Sequence, residues 1–335
     1  MNIYDISQKA GVSIATVSRV INKNPNVREK TKQKVLQVIR ENGYTPNVFA
    51  RGLGHKSMQT VGILCTDSSD LYLAQAVYFL ERELRLREYN SILCCTGYKL
   101  KDKKRSLELL LTKQTDALIL IGSSFIEEKE TNSQYIRDAA GKVPVMLLNG
   151  HMEAENIYSI LCDDYNAIHD AVSKLLENGK KDTLFLYRAL TYSGNQKRMG
   201  YEDAYKKFGL PVNKDLIQLC NGDVNHTKEF LTMLAEKGIY FDGVISVDDQ
   251  LAIGAIKYAK KFHIAIPEQL EIIGYNNSIL GTCCEPELTT IDNKVEAICM
   301  TTTATLMSVL GGKNIPSKTM LSADLITRDT TYTKP

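Results

Sequence analysis

One side of the segment SIATVSRVIN, residues 13–22, carries side chains that could recognise DNA bases. If the segment is helical, Ile14, Ala15 and Arg19 lie together on one side. The methyl groups of Ile14 and Ala15 can contact the methyl group of thymine, and the guanidinium of Arg19 can donate two hydrogen bonds to guanine O6 and N7. This combination is typical of a helix that enters the major groove of DNA.

The rest of the same helix divides into a buried side and a polar side. Val17 and Ile21 are four residues apart, which is the spacing of a buried helical face. Small polar side chains suited to phosphate oxygens or base edges are present at Ser13, Thr16, Ser18 and Asn22. We expect Asn22 at a base edge and the three hydroxyl groups at the DNA backbone. In the alternative interpretation, Ile14 packs against a loop and Arg19 is an ordinary surface charge.

The charge of the chain is distributed unevenly around this segment. Residues 1–58 hold ten basic and three acidic residues, whereas the remainder holds 31 basic and 36 acidic residues, so a net charge of +2 divides into +7 and −5. A small basic unit joined to a larger, mildly acidic one indicates a polyanion-binding module attached to a second domain. A solvated basic helix would give the same charge without any DNA contact.

Start and stop signals place the segment within three helices. Asn2 can cap a helix over residues 3–10, the sequence AGVS allows a tight turn, and Ser13 can cap the second helix. A third helix, roughly residues 29–42, stops at Gly43. Two short helices at a tight turn with a third against them predict a helix-turn-helix unit, whose second helix reads base edges.

The sequence IYDISQKAGVSIATVSRVINKNPNVREKTKQKVLQVIRENGYTPN closely resembles the DNA-binding headpiece of the LacI/GalR family of bacterial transcription regulators. The resemblance implies that Ile14 and Ala15 set operator preference and that Arg19 contacts a base. The Ile-Ala pair is more similar to the Met-Ala of catabolite-control members than to the Tyr-Gln of the lactose repressor. Arg28 departs from the family pattern, since a short capping residue is more usual there, and it should weaken the start of the third helix.

The segment NVFARGLGHKSMQT, residues 47–60, resembles the hinge helix of the same family, which lies in the minor groove. The resemblance assigns the intercalating leucine to Leu53 and the adjacent basic residue to Arg51. Gly52 and Gly54 each cost about 1 kcal/mol of helix stability, so the helix should form only against DNA and its counterpart in a dimer. Insertion of Leu53 would then kink the duplex. The alternative is a flexible linker.

From Thr60 onward, apolar runs alternate with helical patterns, which predicts parallel sheets covered on both faces. Strand candidates include TVGILCTD, NSILCCTG, ALILIG, VPVMLLNG, DTLFLYR, GVISVD and LEIIGYN. The family resemblance implies two α/β lobes like those of periplasmic binding proteins, joined by three crossovers near 160–164, 290–294 and 320–323. The expected organisation is a headpiece at 1–46, a hinge at 47–59, an N-terminal lobe at 60–162 with 292–321, and a C-terminal lobe at 163–291 with 322–335.

Ligands of doubly wound sheets bind beyond the carboxyl ends of strands, where polar residues such as Asn149, Asp248 and Asn276 occur in this sequence. In the alternative interpretation many of these residues only cap the next helix, and Asp67, Asp164 and Asp249 are expected to do so. The expected effector-binding residues, most of them placed by the resemblance, are Tyr72, Leu73, Asn149, Lys197, Arg198, Val224, Asp248 and Asn276.

Three of these positions depart from the family pattern: Lys197 replaces an arginine, Val224 an aromatic residue and Asn276 an aspartate. With Arg198 beside Lys197 the site is less acidic than usual. Carboxylates and amides at several strand ends suit a small polyol, so the expected effector is a sugar or sugar derivative, and the lower acidity extends this expectation to a phosphorylated sugar.

Enzymatic function is not indicated, because the chain has no G-x-G-x-x-G, P-loop, G-x-S-x-G or H-E-x-x-H motif. The eight cysteines form no C-x-x-C motif, which favours free buried thiols and no metal site or cofactor. The sequence shows no membrane span and no leader peptide, so a cytoplasmic protein is expected. A dimer without a coiled-coil tetramer is expected because no heptads follow the last predicted elements.

The sequence therefore predicts a homodimeric repressor that binds a pseudo-palindromic double-stranded operator and responds to a small effector. The alternative is a solute-binding or carbohydrate-active α/β protein without DNA regulation.

Overall fold

The computed structural model describes residues 2–21, 24–43, 57–127 and 129–332, with only the backbone described at residue 130. The chain divides into two compact units, residues 1–60 with 114–116 and residues 61–113 with 117–335. Asn22, Arg51 and Leu53, which the sequence assigns to DNA contacts, lie outside the described residues.

The described residues of the first unit form three helices: α1 (Ile3–Ala10), α2 (Ile14–Ile21) and α3 (Glu29–Glu41). Their buried side chains form one small core of Ile6, Ala10, Val17, Val20 and Val35. The predicted bounds of the three helices hold to within a residue. The predicted buried face of α2 needs a correction, because Val20 is 3% exposed while Ile21 is only partly buried. The face of α2 that packs against α1 and α3 therefore carries Val17 and Val20, which are three residues apart.

Side-chain caps start the first two helices of this unit. The Asn2 side chain accepts hydrogen bonds from the backbone amides of Tyr4 at 2.9 Å and Asp5 at 3.1 Å, and the Asp5 carboxylate accepts one from the Asn2 amide at 2.8 Å. Ser13 Oγ accepts a hydrogen bond from the Thr16 amide at 3.2 Å. Arg28, in contrast, makes no capping hydrogen bond to α3, as its departure from the family pattern predicts.

Replacing Asn2 with alanine should therefore destabilise α1 by about 1 kcal/mol, because two helical amides lose their acceptor. Arg28→Ala is the matched control at the start of α3 and should have little effect, since no cap is removed. Amide hydrogen exchange in the full chain measures both changes. If α1 in Asn2→Ala and α3 in Arg28→Ala lost equal protection against amide hydrogen exchange, the stabilising role of the Asn2 cap would be contradicted.

The second unit alternates strands and helices. The strands are β1 (Thr60–Cys65), β2 (Asn90–Cys95), β3 (Ala117–Ile121), β4 (Val145–Leu148), β5 (Ile157–Cys162), β6 (Thr183–Tyr187), β7 (Ile217–Leu219), β8 (Gly243–Ser246), β9 (Glu271–Tyr275), β10 (Thr289–Asp292), β11 (Lys318–Leu321) and β12 (Asp324–Ile326). The helices are α4 (Leu71–Arg85), α5 (Leu100–Thr112), α6 (Gln134–Ala140), α7 (Asp164–Glu177), α8 (Tyr192–Lys207), α9 (Val224–Glu236), α10 (Asp249–Lys261) and α11 (Val295–Leu310). No helix in the described part of the chain is long and apolar enough to cross a membrane.

The strands form two six-stranded sheets, in the orders β11-β5-β4-β3-β1-β2 and β12-β10-β9-β8-β6-β7. We call the sheets with their helices lobe 1 and lobe 2. The chain passes between the lobes after β5, after β10 and after β11. The pairs β1–β3, β3–β4, β4–β5, β5–β11, β6–β7, β6–β8, β8–β9 and β9–β10 are parallel. The pair β10–β12 is antiparallel.

Helices cover both faces of each sheet, as the apolar strands require. In β3, Ile119 points to a core shared with α4 and α11, and its neighbour Leu120 points to the opposite core, shared with α5 and α6. In lobe 2, α9 and α10 cover one face and α7 and α8 the other. Because parallel strands end at the same edge, this layout brings the polar residues that follow them together.

Candidate functional site

The outer face of α2 presents the three side chains that the sequence assigns to base contacts. Ile14 is 38% exposed, and Ala15 and Arg19 are also exposed. Val17 and Val20 hold the opposite face in the core, so the orientation of the exposed face is fixed by packing. Within the described residues, Arg19 has no acidic side chain within ion-pair distance, which leaves its guanidinium available to an external acceptor.

The predicted backbone-contacting residues lie at the beginning and middle of the same helix. Ser13 is exposed and its Oγ lies 3.0 Å from Thr16 Oγ1, while Thr16 and Ser18 are half-buried. The Ser13 side chain occupies the Thr16 amide, and the other amides of the first turn of α2 point along the helix axis, as helix N-termini that bind phosphate oxygens do. The structure thus places six of the predicted DNA-contacting residues on one short helix and its cap.

A cavity of about 190 Å³ lies between lobe 1 and lobe 2 of the second unit. We call it the cleft. Its lining residues come mainly from strand ends and helix starts: Thr66, Asp70, Tyr72, Leu73, Tyr98, Gly122, Ser123, Ser124, Asn149, Arg188, Ala189, Thr191, Ser193, Gly194, Lys197, Val247, Asp248, Asn276 and Asn293. Ligand-binding cavities usually measure about 300–1,000 Å³, so the cleft suits a compact ligand.

Arg188, directly after β6, is the most extensively bonded side chain in the cleft. Its Nε donates to Asp248 Oδ2 at 2.5 Å and its second terminal nitrogen to Asp248 Oδ1 at 3.3 Å. It also donates to the Gly222 carbonyl at 2.9 Å and to Gln250 Oε1 at 2.8 Å. Burial by itself would lower the pKa of Arg188, but Asp248 raises it above its usual value, so the guanidinium stays charged. Arg188 therefore fixes the carboxylate of Asp248 at the cleft wall.

Lys197 is the second cation of the cleft and is also committed to partners within lobe 2. Its Nζ lies 3.6 Å from the centre of the Tyr275 ring and 3.8 Å from Asp164 Oδ1. Asp164 accepts hydrogen bonds from Ser193 Oγ at 2.5 Å and from the Tyr275 hydroxyl. Burial and then Asp164 raise the pKa of Tyr275, so its hydroxyl keeps the proton that it donates.

Two asparagines present their amides to the cleft from strand ends. Asn149 Nδ2 donates to the Tyr72 hydroxyl at 2.6 Å, and Asn276 Oδ1 accepts from Asn293 Nδ2 at 2.8 Å. Both Asn149 and Asn276 have positive φ, 54° and 93°, a region in which asparagine is enriched among non-glycine residues. These backbone conformations turn the chain sharply after β4 and β9 and hold the amides at the cavity.

A hydrogen bond also joins the two lobes across the cleft. Ser123 Oγ, after β3 in lobe 1, donates to Thr191 Oγ1 in lobe 2 at 2.8 Å. Thr191 is at the same time the N-cap of α8. The two walls of the cleft are therefore in direct contact in this conformation.

The structure brings six of the eight predicted effector-binding residues to the cleft: Tyr72, Leu73, Asn149, Lys197, Asp248 and Asn276. It does not bring Arg198 and Val224 there. Arg198 Nε donates to Glu202 Oε1 one helical turn away at 2.8 Å, since consecutive residues of α8 point in different directions. Val224 begins α9 and is half-buried outside the cleft lining.

Arg188 is not among the residues predicted from the sequence, although the strand candidate DTLFLYR ends on it. An arginine that terminates an otherwise apolar strand is a usable signal, because the next position faces the ligand edge of the sheet. The predicted caps also need correction: Asp70, Asp163 and Asp248 cap α4, α7 and α10, in place of Asp67, Asp164 and Asp249.

Residues 2–47 match the family described as "Bacterial regulatory proteins, lacI family", and residues 58–326 match "Periplasmic binding proteins and sugar binding domain of LacI family". An HTH-type transcriptional regulator of Lachnoclostridium phytofermentans is 55% identical over 331 residues, 99% of each chain. Catabolite control protein A of Priestia megaterium is 33% identical over 295 residues, 87% of each chain. The structure of the lac repressor dimer bound to operator and the anti-inducer ONPF superposes on this chain with a TM-score of 0.86, and the comparison covers 99% of each chain. The two sequences are 21% identical, so the comparison shows a shared fold.

Proposed function

The chain belongs to the LacI family of bacterial regulatory proteins and is a DNA-binding transcriptional regulator, and from this premise we propose that it is a homodimeric repressor released from its operator by a compact sugar-like effector. The observation that carries the proposal is the exposed set of Ile14, Ala15 and Arg19 on a helix fixed by a cap and a core. A two-fold protein matches a two-fold site, so the operator is a pseudo-palindrome.

The orientation of α2 supports the proposed contacts of its described residues with DNA. Ile14, Ala15 and Arg19 contact base edges together with Asn22, and the hydroxyls of Ser13, Thr16 and Ser18 contact the DNA backbone. The hinge proposed for residues 47–59 places Arg51 and Leu53 in the minor groove, where Leu53 would open a base step. The proposed lobe boundaries are 60–162 with 292–321 and 163–291 with 322–335. The protein acts on chromosomal DNA and so works in the cytoplasm.

The charges of the cleft favour a neutral ligand. Arg188 is paired with Asp248, and Lys197 lies against Asp164 and the Tyr275 ring. The remaining acid, Asp70, caps α4 through the Leu73 amide at 2.9 Å. A phosphate group would have to displace one of these acids from its cation or remain without a counter-charge. A neutral polyol instead finds fixed carboxylate, amide and hydroxyl groups.

A neutral monosaccharide should therefore stabilise the protein more than its own 6-phosphate does. A ligand present at 100 times its Kd adds about 2.7 kcal/mol to the free energy of unfolding, which a thermal-shift screen detects. Each sugar is compared with its phosphate ester at equal concentration and ionic strength. Preferential stabilisation by the phosphate ester would contradict the neutral-ligand proposal.

The regulatory mechanism is thermodynamic linkage between the cleft and the operator. The effector prefers one arrangement of the two lobes, and that arrangement changes the spacing of the two hinges in the dimer. The hinges then no longer pair in the minor groove. The effector shifts the equilibrium only by its difference in affinity for the two arrangements, typically about 1–3 kcal/mol.

Selection from randomised duplex DNA tests the proposed function. The full-length protein should enrich one pseudo-palindromic sequence at modest salt, and the neutral sugar identified by thermal shift should lower its affinity for that sequence. A solute-binding or carbohydrate-active protein would enrich no sequence. That result would refute the proposed function, which involves no catalysis.

A further inference from the structure

Two cysteines on neighbouring strands of lobe 1 lie close enough to react with each other. Cys65 ends β1 and Cys95 ends β2, and their Sγ atoms are 3.7 Å apart. The two strands are adjacent in the sheet, and the Thr96 amide donates to the Cys65 carbonyl at 2.9 Å. Adjacent strands are about 4.8 Å apart, which lies within the Cα separation of about 4.4–6.8 Å that a disulfide spans.

The neighbouring Cys94 is excluded from this pair by the alternation of side chains along β2. Cys94 packs against the core that contains Leu64 and Leu120, whereas Cys65 belongs to the core on the opposite face of the sheet. Successive residues of a strand point to opposite faces, so Cys95 rather than Cys94 faces Cys65. The sequence doublet Cys94–Cys95 thus holds one packing thiol and one thiol with a sulfur partner.

The two thiols of the pair differ in their access to solvent. Cys95 is exposed and Cys65 is buried. Burial, with a further contribution from Cys95, raises the pKa of Cys65 to about 12, so Cys65 stays protonated at neutral pH. The thiolate is the form that attacks oxidants. Cys95 is therefore the residue that an oxidant in solution meets first, and Cys65 is placed to react second.

We propose that Cys95 and Cys65 form a peroxide-responsive dithiol that closes to an intramolecular disulfide. The Cys95 thiolate attacks hydrogen peroxide, an S–O bond forms, the O–O bond breaks, and the released hydroxide takes up a proton to leave as water. The sulfur of Cys65 then attacks the resulting sulfenic acid. The S–O bond breaks, the S–S bond forms, and the Cys65 proton leaves with the hydroxide as a second water. The two thiols are oxidised by two electrons and one peroxide is reduced.

This bond would lie directly beside the cleft. Thr66 follows Cys65 and Tyr98 is three residues after Cys95, and both line the cavity. An S–S bond is about 2.05 Å long and the two Sγ atoms are 3.7 Å apart, so both side chains must reorient at the ends of β1 and β2 when the bond forms. Oxidation therefore acts on the ends of the two strands that supply Thr66 and Tyr98 to the cleft wall.

Peptide mapping of the full-length protein after treatment with hydrogen peroxide tests the proposal. After free thiols are alkylated, tryptic digestion without reductant should yield peptide 57–82, which carries Cys65, linked to peptide 88–99, which carries Cys94 and Cys95. The linked pair should disappear after treatment with dithiothreitol.

Two serine variants identify the sulfur involved. Cys95→Ser should lose the linked peptides completely, and because Cys95 is exposed this variant should fold normally. Cys94→Ser is the matched control from the same strand and should retain the linkage. The proposal is overturned if the linkage persists in Cys95→Ser. It is equally overturned if peroxide converts Cys95 to a sulfinic or sulfonic acid in the wild-type protein without any link to Cys65.

Discussion

Replacing Arg19 with alanine should weaken binding to the selected operator by about 1–3 kcal/mol, or roughly 5- to 150-fold. The guanidinium is exposed on α2, and the described residues offer it no acidic partner. The two hydrogen bonds that we propose from Arg19 to a guanine would therefore be gained only in the complex. Besides losing affinity, the variant should lose discrimination at one base pair in each half-site, which a fluorescence titration against single-base operator variants measures.

Arg85→Ala is a suitable control for this substitution. Arg85 is exposed on α4 and paired with Glu81 at 3.0 Å, outside the helix-turn-helix unit. This variant removes the same side chain and charge but should leave operator affinity nearly unchanged. If Arg19→Ala weakened binding equally to every DNA sequence, Arg19 would be a phosphate contact and the assigned base contact would be wrong.

Replacing Arg188 with alanine should weaken binding of the neutral sugar by about 2 kcal/mol, or roughly 30-fold, which is the lower end for truncating one partner of a buried charge pair. The lower end applies because the side chains of Arg188 and Asp248 are 29% and 19% exposed. Without the guanidinium, the Asp248 carboxylate keeps its hydrogen bond from the Leu251 amide but loses two hydrogen bonds and its counter-charge at the cleft wall. Isothermal titration of the sugar measures the loss, and operator affinity without sugar should be unchanged.

Arg198→Ala is the matched control for Arg188, because Arg198 is paired with Glu202 and does not line the cleft. A double-mutant cycle with Asp248→Asn isolates the coupling between Arg188 and Asp248. The second substitution should cost much less in the Arg188→Ala background than in the wild type. Additive effects of the two substitutions would mean that Arg188 acts on the ligand independently of Asp248. If Arg198→Ala weakened sugar binding as much as Arg188→Ala does, the placement of the site would be wrong.

Local sequence signals predicted the helix-turn-helix unit well, because its structure depends on contacts over few residues. The Asn2 cap, the turn at Gly11 and the Ser13 cap each involve groups within a few positions of one another. The absence of a side-chain cap at Arg28 could be predicted for the same reason. Packing against α1 and α3 nevertheless decided that Val20 rather than Ile21 is buried.

Most strands of lobe 1 and lobe 2 were predictable from apolar runs, and all seven named candidates are strands. Six of them lie inside a sheet, where parallel strands need apolar residues on both faces. The seventh, β2, is an edge strand that is only partly buried. Shorter strands such as β7 and β12 have mixed composition and only partial burial. Their pairing depends on the position of a neighbouring strand, which no local pattern records.

The amino-acid sequence by itself determined the three helices of the DNA-binding unit, the alternation that builds two parallel sheets, and the edge at which the cleft forms. Only the tertiary structure decided the role of each polar residue there. In the doublet Asp248–Asp249, the first carboxylate caps α10 and binds Arg188, while the second is buried against Thr290 and Ser278. Helix periodicity and capping act between near neighbours and leave a mark in the sequence, whereas Arg188 and Asp248 are 60 positions apart and meet only because β6 and β8 are paired.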